Sequence, residues 1–230
     1  METNPEIKSA DKKKSGIGSV SVVVVSYRRK TNLERILRGW LGQTPDVWLC
    51  DCGVNLKTKL PIKIVKFDPD PGNKARHAVS LLTNGDFVIK ADDDLLPKSG
   101  LIEDFLHSHK LRPGGIFGIH GRTFRNKKYY GGTSGREGRG ARKLIRVDFV
   151  GVCTFTSRDN LPFDLKGCES PFEDLFWQMK VFPSVKKWVI PTKNYEKLPE
   201  SSDKKSLCCD PQTRKIREAF YKKYYLRNYR

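Results

Sequence analysis

No apolar run in these 230 residues approaches the roughly 20 residues that a membrane-crossing helix needs. The opening residues are polar and lysine-bearing and lack the apolar centre of a secretory signal, so a cytoplasmic protein is expected (host cytoplasm, if the source is viral). Histidine is scarce: His77, His107, His109 and His120 stand at no ligand spacing from any cysteine. The cysteines Cys50, Cys52, Cys153, Cys168, Cys208 and Cys209 offer only one C-x-C and one C-C spacing, which match neither a zinc ribbon nor a zinc finger and point to reduced thiols. Repeats and heptads are absent. Acidic residues are in short supply, 26 against 44 lysines and arginines, which leaves a formal charge of +18. Such a field favours anionic partners: nucleic acid, acidic lipid headgroups or phosphorylated substrates.

Enough is present for one sizeable α/β domain, with 37% apolar and 10% aromatic residues. Residues 1–18 read as a flexible, charged tail, 19–200 as the folded domain and 201–230 as a basic, aromatic extension. Val20 to Ser26 is β-branched and nearly all apolar, the pattern of a central parallel strand covered on both faces. Thr31-Asn32 can cap a helix whose stripe is Leu33, Ile36, Leu37, Trp40 and Leu41, with Gly42 at its end. Further strands are predicted over 47–50, 62–65 and 87–89, with a helix over 73–82 between the last two. This alternation predicts βαβ units and a mixed, mainly parallel central sheet flanked by helices. Strand character returns at 116–119 and 144–155, and 172–181 reads as an amphipathic helix. Residues 125–142, rich in Gly, Lys and Arg, read as a mobile loop.

The most informative stretch is Lys90 to Pro97, with Asp92-Asp93-Asp94 at its centre, which follows the apolar segment Phe87-Val88-Ile89. Three carboxylates at a strand end repel one another, and burying them costs several kcal/mol unless a cation compensates. Oxygen clusters of this kind suit Mg²⁺ or Mn²⁺ shared with substrate phosphates, and strand carboxyl ends are where α/β sheets bind ligands. A solvated acidic turn is the plain alternative for the triplet by itself.

Five pieces in order resemble the inverting GT-A glycosyltransferases, the family-2-like group that includes many bacterial and viral sugar transferases. Val22-Val23-Val24-Val25-Ser26-Tyr27-Arg28-Arg29 resembles that family's first strand and its end, and Asp51-Cys52-Gly53 is similar to its acidic turn. Gly72-Asn73-Lys74-Ala75-Arg76-His77, followed by Thr83 to Val88, resembles its phosphate-side helix and next strand. Asp92-Asp93-Asp94 stands where the family carries its DXD-type metal motif, and Glu173-Asp174 resembles the acidic pair that opens a helix and supplies the base. Cys52 departs from the second acid of the turn, Gln178-Met179-Lys180 follows the family's later element only in part, and no histidine follows His120.

The resemblance implies a Rossmann-like GT-A fold in a single domain. It also implies transfer of a sugar from a nucleotide-sugar donor, UDP-linked by preference, to a hydroxyl acceptor. It assigns Asp94 and Asp92 to Mn²⁺ or Mg²⁺, with Asp93 as the reserve ligand and Asp92 and Asp93 on the donor side. Ser26, Tyr27, Arg28 and Asp51 would line the nucleotide pocket, and Arg76 would contact the diphosphate. Asp174 would be the general base, with Glu173 its alternate. Plainer roles stand beside these: Asp51 as a turn-former, Arg76 as a surface helix arginine, Glu173 and Asp174 as acids favouring a helix dipole, and Trp177 as core. The positive charge concentrated at 121–146 and 203–230 exceeds what a donor diphosphate needs and implies an anionic acceptor, either nucleic acid (such as a hydroxymethylated DNA base) or a lipid-linked or surface glycan. A peripheral membrane contact also fits that charge. The rival functions are a nucleotidyltransferase, weakened by the lack of a glycine-rich phosphate loop after the first strand, and a non-catalytic nucleic-acid-binding protein, for which the acidic triplet is a poor feature.

Overall fold

Every side chain from Val20 to Ser26 is buried in β1 (Val20–Tyr27), as a strand covered on both faces requires. This holds in the computed structural model, which describes residues 18–27, 29–72, 74–124, 133–161, 166, 173–199 and 211–228. The predicted N-terminal tail lies outside those residues, Gly18 apart. Strand alternation divides the valines. Val20, Val22 and Val24 pack with Leu33, Ile36, Leu37 and Trp40 of α1 (Leu33–Leu41), whereas Val23 and Val25 pack on the opposite face.

On one side of β1 lie β2 (Val47–Cys52) and β3 (Lys63–Lys66), both parallel. The chain then crosses back through α2 (Lys74–Leu82), which places Ala75 and Val79 against Val23 and Val25, and enters β4 (Phe87–Asp92), parallel to β1 on its other side. β4 runs three residues past the predicted strand, so the first acid of the triplet is its last residue.

A short β5 (Leu95–Pro97) leads to α3 (Leu101–Leu111), a helix that the sequence pattern did not predict. It buries Leu101, Ile102 and Phe105 on the α1 side of the sheet. β6 (Ile116–Phe124) is followed by β7 (Thr133–Glu137), β8 (Ile145–Val147) and β9 (Phe149–Ser157). The loop reading for 125–142 is corrected over Thr133–Glu137, which pairs antiparallel with β6 from His120↔Glu137 to Phe124↔Thr133. Ladder pairing is a backbone property, so a glycine-rich segment achieves it without apolar anchors; residues 125–132 lie outside the described residues.

α4 (Glu173–Leu175) continues as a π-helical segment, Phe176–Val181, within the predicted helix. β10 (Lys187–Val189), β11 (Tyr195–Lys197) and α5 (Pro211–Asn228) complete the chain. The result is a single-domain, mixed sheet in the order β3-β2-β1-β4-β9-β6-β10-β8, with β7 on β6, and a two-stranded β11-β5 sheet beside it. Helices flank the parallel half. No helix among the described residues is long and apolar enough to cross a membrane.

The described part of the basic extension, α5, packs onto this body. Ile216, Phe220 and Tyr221 of α5 pack with Phe124, Phe149, Leu175 and Met179, and the Tyr221 and Phe124 rings lie 4.7 Å apart. Tyr221→Ala should therefore lower the unfolding free energy by roughly 3–5 kcal/mol, measured by urea denaturation. A change under about 1 kcal/mol would show that α5 contributes nothing to the core.

Candidate active site

The chain builds outward from β1 to β2 and β3, then returns to the other side of β1 as β4. That reversal leaves a crevice at the carboxyl ends of β1 and β4, the usual ligand position in an open α/β sheet. Val25 is in register with Asp92, so Tyr27 and the acidic triplet meet at the crevice mouth. The triplet is tied to β1 directly. Tyr27 donates its backbone N–H to Asp93 Oδ2 at 3.0 Å, and one Arg29 nitrogen lies 3.1 Å from both Asp93 Oδ1 and Asp94 Oδ2. Arg29 was quoted in the first-strand motif without a role; here it offsets two of the three charges. Arg28 lies outside the described residues.

Arg76 does something other than face a diphosphate. It is buried, and its terminal nitrogens donate to Asp92 Oδ1 at 2.6 Å and to Glu173 Oε1. The guanidinium points inward and links the acidic triplet to the Glu173–Asp174 pair. Burial works against its charge, but Glu173, then Asp92 and Asp174, hold it protonated. Asp92 keeps 34% of its side chain open to solvent. Loss of hydration on its inward side raises its carboxyl pKa; Arg76 opposes this, while the neighbouring charges of Asp94, Asp93 and Glu173 add to it. Burial likewise raises Asp93 to about 6, against the Tyr27 N–H and Arg29.

Asp51 also turns inward. Its Oδ1 accepts the backbone N–H groups of Val54 at 2.8 Å and Asn55 at 3.0 Å, and its Oδ2 accepts that of Leu56 at 2.9 Å. These bonds hold a turn in which Gly53 (φ 88°) and Asn55 (φ 52°) adopt left-handed backbone, which glycine and asparagine tolerate best. The turn-forming reading of Asp51 is therefore the one the geometry displays. Ser26 is buried with its hydroxyl donating to Arg29 O at 3.2 Å, whereas Tyr27 is exposed at the strand end.

The two acids of α4 differ sharply. Glu173 is fully buried and locked on Arg76, and burial raises its carboxyl pKa. A base must reach the proton it takes, and Glu173 is turned onto Arg76 rather than outward. Asp174 keeps some exposure, accepts the Leu175 N–H at 2.8 Å and lies 3.7 Å from Arg217 of α5. Behind this pair, Trp177 is fully buried and donates its indole N–H to Asn160 O at 2.7 Å, so it is core rather than an acceptor platform. Local π-helical geometry of this kind is frequent at functional sites.

Two residues that the sequence did not single out for this site sit on Trp177. Lys90 Nζ lies 2.9 Å from its ring centroid, and His77 meets the ring edge-on at 5.5 Å. Neither Lys90 Nζ nor either His77 nitrogen has a hydrogen-bond partner among the described residues. Burial lowers both pKa values well below the ordinary range, and Arg76 adds to the effect on each. The only sequence signal was a lysine inside an otherwise apolar strand.

The donor set suits a cation of limited kind. Among the described residues no three His, Cys, Asp or Glu side chains converge on one metal-sized point. Asp92 and Asp94 still supply the hard carboxylate oxygens that Mg²⁺ or Mn²⁺ takes alongside substrate phosphates and water. Both oxygens of Asp93 are engaged by Tyr27 and Arg29.

Comparison with solved structures places this arrangement on a known scaffold. The chain is similar in fold to GalNAc-T7, crystallised with UDP, GalNAc and Mn²⁺, at a TM-score of 0.62 and 12% identity, covering 79% of this chain and 43% of that one. It is also similar to S. aureus TarS residues 1–349, at a TM-score of 0.54 and 16% identity, covering 77% of this chain and 59% of that one. The fold is thus of the GT-A, Rossmann-like type, and the chain spans less than two thirds of either neighbour. No protein-family model and no curated protein matches the sequence.

Lys90 gives the site a stability signature. Its native pKa lies below the ordinary 10.5, so the native state binds fewer protons than the unfolded chain in the alkaline range. Stability should therefore rise with pH up to that ordinary value. Lys90→Met should remove this rise and raise stability at pH 7 by roughly 1–3 kcal/mol, read from thermal unfolding at several pH values. A loss of similar size would show that the amine is well compensated in the native state.

Proposed function

We propose that this protein is a glycosyltransferase, moving a sugar from a nucleotide-sugar donor, UDP-linked by preference, to a hydroxyl on an anionic acceptor. One observation carries the reading: the buried Arg76 guanidinium joins the acidic triplet at the sheet's switch point to the acidic pair of α4. The GT-A-type fold supports the same reading.

Asp92 and Asp94 would hold Mn²⁺ or Mg²⁺, which when bound offsets negative charge on the leaving diphosphate. Arg29 holds Asp93 and Asp94 at fixed positions. Tyr27 and the Asp51-organised turn lie at adjacent strand ends and form the nucleotide side of the crevice. Asp174 takes the acceptor hydroxyl proton as the new bond forms at the anomeric carbon and the bond to the diphosphate breaks. Attack opposite the leaving group, and so inversion, follows from the family resemblance.

With Mn²⁺ present and no acceptor, one or more nucleotide sugars should be hydrolysed slowly, releasing the nucleoside diphosphate. Asp94→Ala should reduce that release at least 100-fold with a thermal midpoint near wild type, since the Asp94 side chain is partly open to solvent. Unchanged release in the variant, or no release from any nucleotide sugar, would contradict the assignment.

A further inference from the structure

Helix α5 carries more positive charge than its docking requires. Between positions 211 and 224 it has Arg214, Lys215, Arg217, Lys222 and Lys223 against Glu218 alone. Packing divides these residues by face. Thr213 and Tyr221 are buried, and Ile216 and Phe220 pack beside Tyr221 on the core. Arg214, Lys215, Ala219, Lys222 and Lys223 are exposed on the outer side. The cations are thereby held on a fixed helix rather than a loose tail. Arg217, between the two faces, reaches Asp174 at 3.7 Å, so the charged face is continuous with the candidate base.

The chemistry of that face selects its partner. An interfacial membrane helix needs a large apolar stripe to insert into lipid. Here the apolar stripe is used against the core, and none of the protein's exposed large hydrophobic residues lies on the described part of α5. Base stacking is also poorly served, because Phe220 and Tyr221 face inward and the Tyr224 ring lies against Phe220 at 4.5 Å. What remains among the described side chains is a row of cations without a stacking platform, suited to regularly spaced backbone phosphates. We propose that the outer face of α5 binds the phosphate backbone of duplex nucleic acid and presents that acceptor to Asp174. This rests on the glycosyl-transfer reading and narrows its acceptor.

The full-length protein and a fluorescent duplex of about 20 base pairs, followed by anisotropy over a salt series, test the proposal. Four exposed cations predict a slope of log affinity against log salt of roughly −3 to −4. The triple substitution Lys215→Gln, Lys222→Gln and Lys223→Gln should weaken binding at least tenfold in low salt and flatten the slope by roughly 2–3 units. A flat slope, a triple variant that binds like wild type, or displacement of the duplex by anionic phospholipid vesicles would overturn it. Donor hydrolysis by the unsubstituted protein, measured without duplex, reports on the transferase reading separately.

Discussion

Arg76 is the residue on which the two halves of the site depend. Glu173 is 0% exposed, and an isolated carboxylate there would be strongly disfavoured. The guanidinium supplies its counter-charge while also holding Asp92 at the end of β4. Because a buried pair gains little over a well-packed apolar one, its value lies in position more than in stability. It fixes an element from residue 92 against one from residue 173, which the sheet alone does not bring into register. Removing one partner leaves a charge that water cannot reach, and both acidic motifs would shift together.

Around that link the site has a clear division of labour. Carboxylates turned inward, Asp51 and Glu173, organise backbone and counter-charge. Those with side chains still partly open to solvent, Asp92, Asp94 and Asp174, remain able to meet a ligand. Arg29 on the β1 side and Arg217 on the α5 side each place a cation beside one of these acids. A cleft bounded by fixed arginines and partly compensated acids is prepared for a charged, phosphate-bearing ligand with its own metal ion.

The parallel half of the fold is legible in the sequence because strands buried on both faces are continuous apolar runs, as Val20 to Val25 is, and α1 displays its stripe openly. Several later elements are not legible for a physical reason. β7, β10 and β11 are three to five residues long and are defined by backbone pairing, which side-chain pattern does not report. α3 alternates Leu101, Ile102 and Phe105 with acids and histidines, so its periodicity is weak. In the site, residue types and order locate the acidic motifs, but not which way each carboxylate turns. Arg76 and Asp51 read equally well as ligand contacts or structural partners until the third dimension shows what lies within 3 Å of them. Lys90 and Arg217 gain meaning only through Trp177 and Asp174, residues far away along the chain.

The most direct measurement is a double-mutant cycle on Arg76→Met and Glu173→Gln, followed by chemical denaturation. If the buried link governs the site, each single change should destabilise strongly. The double variant should then recover part of the loss, with a coupling energy of about 2–3 kcal/mol. Losses that add to within about 0.5 kcal/mol would mean that the two residues do not depend on each other, and that the acidic triplet and the α4 acids are held together by something else.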